Sequence, residues 1–328
     1  MISQRTYTLL SQLVWLLLLA LPPVAALAQT AVLDYTVRHP VKAGSWYPGE
    51  ADALRERIRQ LASESADAQL DSQYGKLRAL IVPHAGYDYS GSTAAAGFKL
   101  LKDQKYRRVV VIGAAHYEDV PGMSVLDVDA YQTPLGMIDL DREAIDQIYR
   151  SPLLMSHPYA HDREHSIEMQ LPFLQAMLAP GWKLVPILIG NLTQLQYQQA
   201  GRLIKKLLDE DTLLVISGDF THYGPGYDFV PFPHDEMTAQ RIAHLDKGIV
   251  ERISSIDPDG LSRYRSEMDL NDCVYPSAMV LLNLLPNDMK VTVIRYQTSG
   301  AVTGNYRNSV SYLAIAFQRQ VPIKHAIN

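Results

Sequence analysis

Four apolar runs punctuate the chain without polar alternation: RALIVP at 78–83, RRVVVIG at 107–113, KLVPILIG at 183–190 and TLLVISG at 212–218. Strands buried on both faces have this pattern, whereas strands wetted on one face alternate with period two. Between the first two runs, GSTAAAGFKLLKD (91–103) predicts a small-residue-rich crossover helix. EHSIEMQLPFLQAML (164–178) predicts another, with Asp162 near its start and Pro172 bending or interrupting it. LTQLQYQQAGRLIKKLLDED (192–211) has apolar residues at helical spacing. KVTVIRYQT (290–298) and SVSYLAIAF (309–317) read as late strands, antiparallel in arrangement. Nothing divides the chain internally, so the pattern predicts one α/β domain over 29–328, a central and mainly parallel sheet flanked by helices.

In such a sheet the loops leaving the carboxyl ends of the strands share one edge, where ligands bind. His84 follows the first run, His116 the second, and Asp219 with His222 the fourth. Each alone has an ordinary explanation, as a turn cap, a surface polar group or a structural pair. Their joint placement points to a shared crevice, because histidine is the commonest metal ligand and a metal needs convergent donors. Tyr87 and Tyr117 stand beside these histidines with hydroxyls suited to orienting a ligand.

HDREHSIEMQ (161–170) is a second dense cluster, with His161/His165 and Glu164/Glu168 each four apart. It is not H-E-x-x-H, so a metalloprotease site is not indicated. His165 and Glu168 are expected to support the site or face substrate rather than ligate. His157, His234, His244 and His325 lack comparable companions and read as structural or surface residues.

Composition narrows the functional class. A net charge of −5 argues against nucleic acid, which selects a basic face. The amino-terminal residues 1–28 combine Arg5, a Leu-rich stretch from Leu13 to Leu21, and Ala26-Leu27-Ala28 before Gln29. That is the pattern of a cleaved signal peptide, so a periplasmic or secreted protein is expected, with no membrane span after cleavage. Cys273 is the single cysteine and has no partner within the chain for a disulfide. Residue statistics favour a buried apolar cysteine; a nucleophile and a metal ligand are the alternatives.

Six words in order, AGSWYPG, PHAGYDYSG, EHSIEMQLPF, SGDFTHYG, HLDKGIV and NDCVYPSAM, resemble the Memo family, whose prokaryotic members are called AmmeMemoRadiSam system protein B. The likeness runs from Ala43 to Phe317. It implies a fold similar to class III extradiol dioxygenases and an iron or copper site formed by His84, His116 and Cys273, with Asp219 and His222 beside it. His222 reads as an acid/base group or a fourth ligand, with a bond from Asp219 fixing its tautomer. Zinc suits the same donors. Two positions depart from the family pattern: Ala115 replaces a common serine, and Val274 a common glycine. The resemblance further implies redox or dioxygenase-like chemistry on a small molecule or peptide. A non-catalytic binding protein and a hydrolase using Cys273 are the other classes. The family name also implies a radical-SAM partner, from which export would separate this chain.

Overall fold

The computed structural model describes residues 35–320 apart from 66–69, 72 and 103, so the expected signal peptide lies outside the described residues. Strand β1 (Val37–Arg38) and helix α1 (Ala51–Glu64) lead into β2 (Tyr74–Val82), which crosses over through α2 (Tyr87–Phe98) to β3 (Arg108–Ala114). Next come β4 (Met123–Ser124), β5 (Ala130–Thr133), β6 (Gly136–Asp139), α3 (Arg142–Tyr149), α4 (Leu171–Met177) and β7 (Lys183–Ile189). The second half runs through α5 (Gln194–Lys205), β8 (Thr212–Ser217), β9 (His222–Tyr223), α6 (Thr238–Ser254), α7 (Pro258–Glu267) and α8 (Tyr275–Leu284). It closes with β10 (Met289–Thr298), α9 (Ser299–Thr303) and β11 (Ser309–Gln320).

The main sheet has the order β10-β11-β2-β8-β3-β7-β4. Its four central strands, β2, β8, β3 and β7, are mutually parallel, and β11 and β10 add antiparallel edges. Every residue of β3 and β8 is buried, which is why neither run alternates. Helix α2 packs against β2, β10 and β11, while α8 packs against β3 and β8 with α5 beside it. The result is a mixed α/β domain with a sheet flanked by helices and no closed barrel. Among the described residues no helix is long and apolar enough to cross a membrane.

Two helices differ from the sequence expectation. The crossover helix starts earlier, at Tyr87, and ends in a single 3-10 turn at Lys99–Leu101. The segment 164–178 is not one helix: α4 begins only at Leu171, with Pro172 in its first turn. Proline lacks the N–H an interior position needs but suits the first turn, so it opens the helix instead of bending it. Upstream, the Glu164 carboxylate captures the N–H groups of His165 and Ser166, both at 2.8 Å, which competes with helical pairing.

Candidate metal centre

Register places the site. Val82 of β2 and Gly113 of β3 both pair with Ser217 of β8, so three neighbouring strands end level. The residues just beyond them, His84, His116 and Asp219, are thereby brought to one edge. Cys273 arrives from the turn before α8, where the N–H groups of Cys273 and Val274 both donate to the Asp219 carbonyl, at 3.2 and 3.0 Å. Gly218 makes this possible: a Cβ there would lie 2.5 Å from the Val274 Cα. One nitrogen each from His84 and His116 and the Cys273 sulfur lie within 4.8 Å of one another.

Hydrogen bonding fixes which imidazole nitrogens are free. The Ser217 hydroxyl donates to the Ser166 carbonyl and accepts from Gln170 Nε2 at 2.7 Å. With its proton committed, Ser217 Oγ accepts from His84 Nδ1 at 3.0 Å. Neutral His84 therefore carries its lone pair on Nε2, 3.2 Å from Cys273 Sγ. Burial, then the neighbouring His116, His165 and His222, holds the His84 pKa well below the ordinary value, so the lone pair stays available.

His116 is set the same way by Glu164. Its Nδ1 donates to Oε1 at 2.9 Å and its backbone N–H to Oε2 at 2.7 Å, leaving Nε2 as the outward nitrogen. Burial pushes the Glu164 pKa up, but the His116 hydrogen bond and charge, with His165 and Ser166, bring it down to about 2. The carboxylate is thus ionised and acceptor-only. Glu164, Ser217 and Gln170 were not singled out by sequence reasoning. Glu164 and Glu168 share a spacing, and only tertiary placement separates their roles.

The other expected residues divide. His165 lines the cleft, its ring centroid 4.5 Å from that of His116 and 4.9 Å from that of His84, and burial holds its pKa down to about 3. Its Nδ1 lies 3.4 Å from Glu164 Oε1 without making a hydrogen bond. Tyr117 stands near the His116 and His165 rings, partly exposed, and receives a hydrogen bond from Lys42 Nζ at 3.1 Å. Tyr87 and Glu168 do not line the cleft, so neither faces a ligand, and of the two roles expected for Glu168 only the supporting one is open to it. The Tyr87 hydroxyl donates to the Met169 carbonyl at 3.0 Å, and its ring packs against Tyr47 and Phe173 in the core. Glu168 is fully buried in a salt bridge with Arg38 at 2.8 Å.

Asp219 and His222 share a site but no hydrogen bond joins them, because Asp219 Oδ1 accepts instead from the His84 backbone N–H at 2.9 Å. Burial raises Asp219 to about 7, and burial lowers His222 to about 4. His222 Nδ1 is buried without a hydrogen-bond partner. One nitrogen of His222, one oxygen of Asp219 and the Cys273 sulfur also lie within 4.8 Å of one another.

The donor set fits a soft or borderline metal ion. Two imidazole lone pairs and a sulfur converge, with one spacing of 3.2 Å and none above 4.8 Å, against the ~3.3–3.8 Å that bonds of 2.0–2.3 Å give between tetrahedral ligands. Burial, followed by the Asp219 charge, pushes the Cys273 thiol well above its ordinary pKa. A raised thiol pKa does not mark an activated nucleophile. The Asp219 backbone N–H, 3.1 Å from Sγ, is poised to stabilise a thiolate formed by ligation. Beyond the donors opens a cleft of about 670 Å³, walled by Trp46, Tyr89, Tyr227 and Tyr312.

The Memo-like protein family matches residues 38–316. A MEMO1 family protein of Aquifex aeolicus is 31% identical over 287 residues, spanning 86% of this chain and 99% of that protein. Protein MEMO1 of Homo sapiens is 30% identical over 284 residues, spanning 83% of this chain and 94% of its own. An uncharacterized Escherichia coli protein of known crystal structure aligns over 73% of this chain and 99% of its own, at 14% identity and a TM-score of 0.43, too distant to inform the site.

Proposed function

From the premise that this chain belongs to the Memo family, we propose that it is an exported protein in which His84, His116 and Cys273 hold one ion of iron or copper for redox chemistry on a small molecule or peptide. The convergence of these three donors from distant parts of the sequence carries the proposal. Bound iron or copper would supply one-electron redox capacity and an open coordination position, whereas zinc on the same donors would supply only the latter.

The protein's own contribution is orientation and proton handling. Ser217 and Glu164 each hold one imidazole nitrogen as a donor, so that the other is a permanent lone pair. Half-buried His222, neutral near pH 7, lines the cleft and is placed to accept a proton from a molecule there. Asp219, whose pKa burial raises, holds a proton more readily than an ordinary carboxyl and can return one. Trp46, Tyr227 and Tyr312 line the approach.

Metal analysis of protein isolated from its native compartment tests this reading. One equivalent of iron or copper per chain is expected, together with a mature amino terminus near Gln29 by mass spectrometry. Protein free of both metals, or a full-length cytosolic chain, would contradict it. The aromatic walls also favour a second reading, a binding protein without turnover. Oxygen consumption by the metal-loaded protein separates the two.

A further inference from the structure

One buried carboxylate gathers four donors and is used by none of the chemistry above. Glu168 accepts from the backbone N–H groups of Val41 and Lys42, at 2.9 and 2.8 Å. It also accepts from the Tyr47 hydroxyl at 2.9 Å and the Arg38 guanidinium at 2.8 Å. All four donors lie within residues 38–47. Arg38 extends the tie, donating to the carbonyls of His161 and Glu164 at 3.2 and 2.6 Å. The segment 38–47 is thereby strapped to the loop that carries Glu164 and His165.

The upper part of this strap forms a wall of the cleft, to which it contributes Ser45 and Trp46. The Trp46 ring lies 4.7 Å from the His165 ring, centroid to centroid. Lys42 Nζ sits between the Trp46 and Tyr117 rings, 4.9 and 5.2 Å from their centroids. Apart from the bond from the Tyr87 N–H to the Trp46 carbonyl, these wall contacts are ring packing and one exposed hydrogen bond. Turn bonds within the strap, from the N–H groups of Gly44, Ser45 and Trp46 to the carbonyls of Tyr47 and Lys42, shape the turn but do not attach it to the loop. The four bonds to Glu168 do, and the buried Tyr47 hydroxyl would otherwise be left without an acceptor.

We propose that Glu168 is a positioning residue: it anchors the strap so that Trp46 stands against His165 and limits what reaches the histidine cluster from solvent. The inference concerns the wall, not the ion, and stands whether or not metal is bound. A carboxylate is needed because it offers only acceptors, whereas an amide of the same shape turns an NH2 group toward one of the four donors.

The test makes Trp46 the sole indole, with Trp15→Phe and Trp182→Phe, and measures its quenching by acrylamide in the folded protein. Glu168→Gln is expected to raise the quenching constant severalfold while far-UV circular dichroism is unchanged. Tyr47→Phe, which removes one donor and leaves the carboxylate, should give a smaller rise. Asp141→Asn, which disrupts the buried 2.7 Å pair with Arg108 elsewhere, should lower thermal stability and leave Trp46 quenching as it was. Unaltered quenching in folded Glu168→Gln would overturn the proposal, as would an equal rise in Asp141→Asn. Should Glu168→Gln fail to fold, Tyr47→Phe decides, and no change there overturns it.

Discussion

His84 Nε2 lies 3.2 Å from Cys273 Sγ, across 189 positions of sequence. Two features make the contact. Strand β2 ends level with β8, and Gly218 lets the turn before α8 close onto that end. The Ser217 hydroxyl, already committed to a carbonyl, then forces the His84 proton onto Nδ1 and the lone pair toward sulfur.

Ser217→Ala removes the acceptor that sets this tautomer without touching a ligand. Metal affinity should fall by about 10–100-fold, the usual cost of losing a group that orients a ligating histidine. Competition titration against a chelator of known affinity measures it. Unchanged affinity would remove Ser217 from the account.

Glu164→Gln should weaken metal binding by a similar factor, because the amide no longer obliges His116 to present Nε2. His157→Ala, which alters no strand-end residue, should leave affinity intact. The same titration compares the two variants side by side.

How much of this was legible in the sequence follows from what each signal depends on. The runs at 107–113 and 212–218 became β3 and β8 because full burial writes itself as unbroken apolar sequence. His84 and His116 were found because strand ends are local features. Cys273 came only with the resemblance, since its approach depends on a turn packed against Gly218. Glu164 and Glu168 looked equivalent at helical spacing; the chain there is not one helix, and one acid turns to His116 while the other turns to the strap. The expected bond between Asp219 and His222 is not formed, and the His84 N–H donates to the carboxylate. Spacing in sequence could not rank those two partners.

Acidification should destabilise the metal-free protein. Burial holds His161, His165 and His222 at about 4, 3 and 4, below the ordinary 6.5, so the unfolded chain binds protons that the folded chain refuses as pH falls from about 6.5. Glu164, at about 2 when folded, adds a loss as pH falls below its ordinary 4.5. Asp219 and Asp272, raised by burial to about 7 and about 6, and Asp246, also raised, have the opposite sign, but burial lowers His84 as well, so four histidines outweigh three carboxylates. The urea midpoint should therefore drop between about pH 7 and pH 5. A flat or rising midpoint would contradict the neutral, buried histidines.

Gly218→Ala places a methyl group 2.5 Å from the Val274 Cα, so the Cys273 turn must move. The substitution should cost about 1–3 kcal/mol of stability. It should also weaken metal binding although no donor is altered. Urea unfolding and the chelator titration together check both effects.

The ligand set is tested most directly by X-ray absorption spectroscopy at the edge of the bound metal, on the parent protein and on Cys273→Ser. One sulfur scatterer at about 2.3 Å and imidazole nitrogens at about 2.0–2.1 Å are expected in the parent protein. The sulfur shell should vanish in the variant, with a large loss of affinity. A metal shell without sulfur in the parent protein, or full occupancy with unchanged ligation in Cys273→Ser, would contradict the assignment of His84, His116 and Cys273 to one ion.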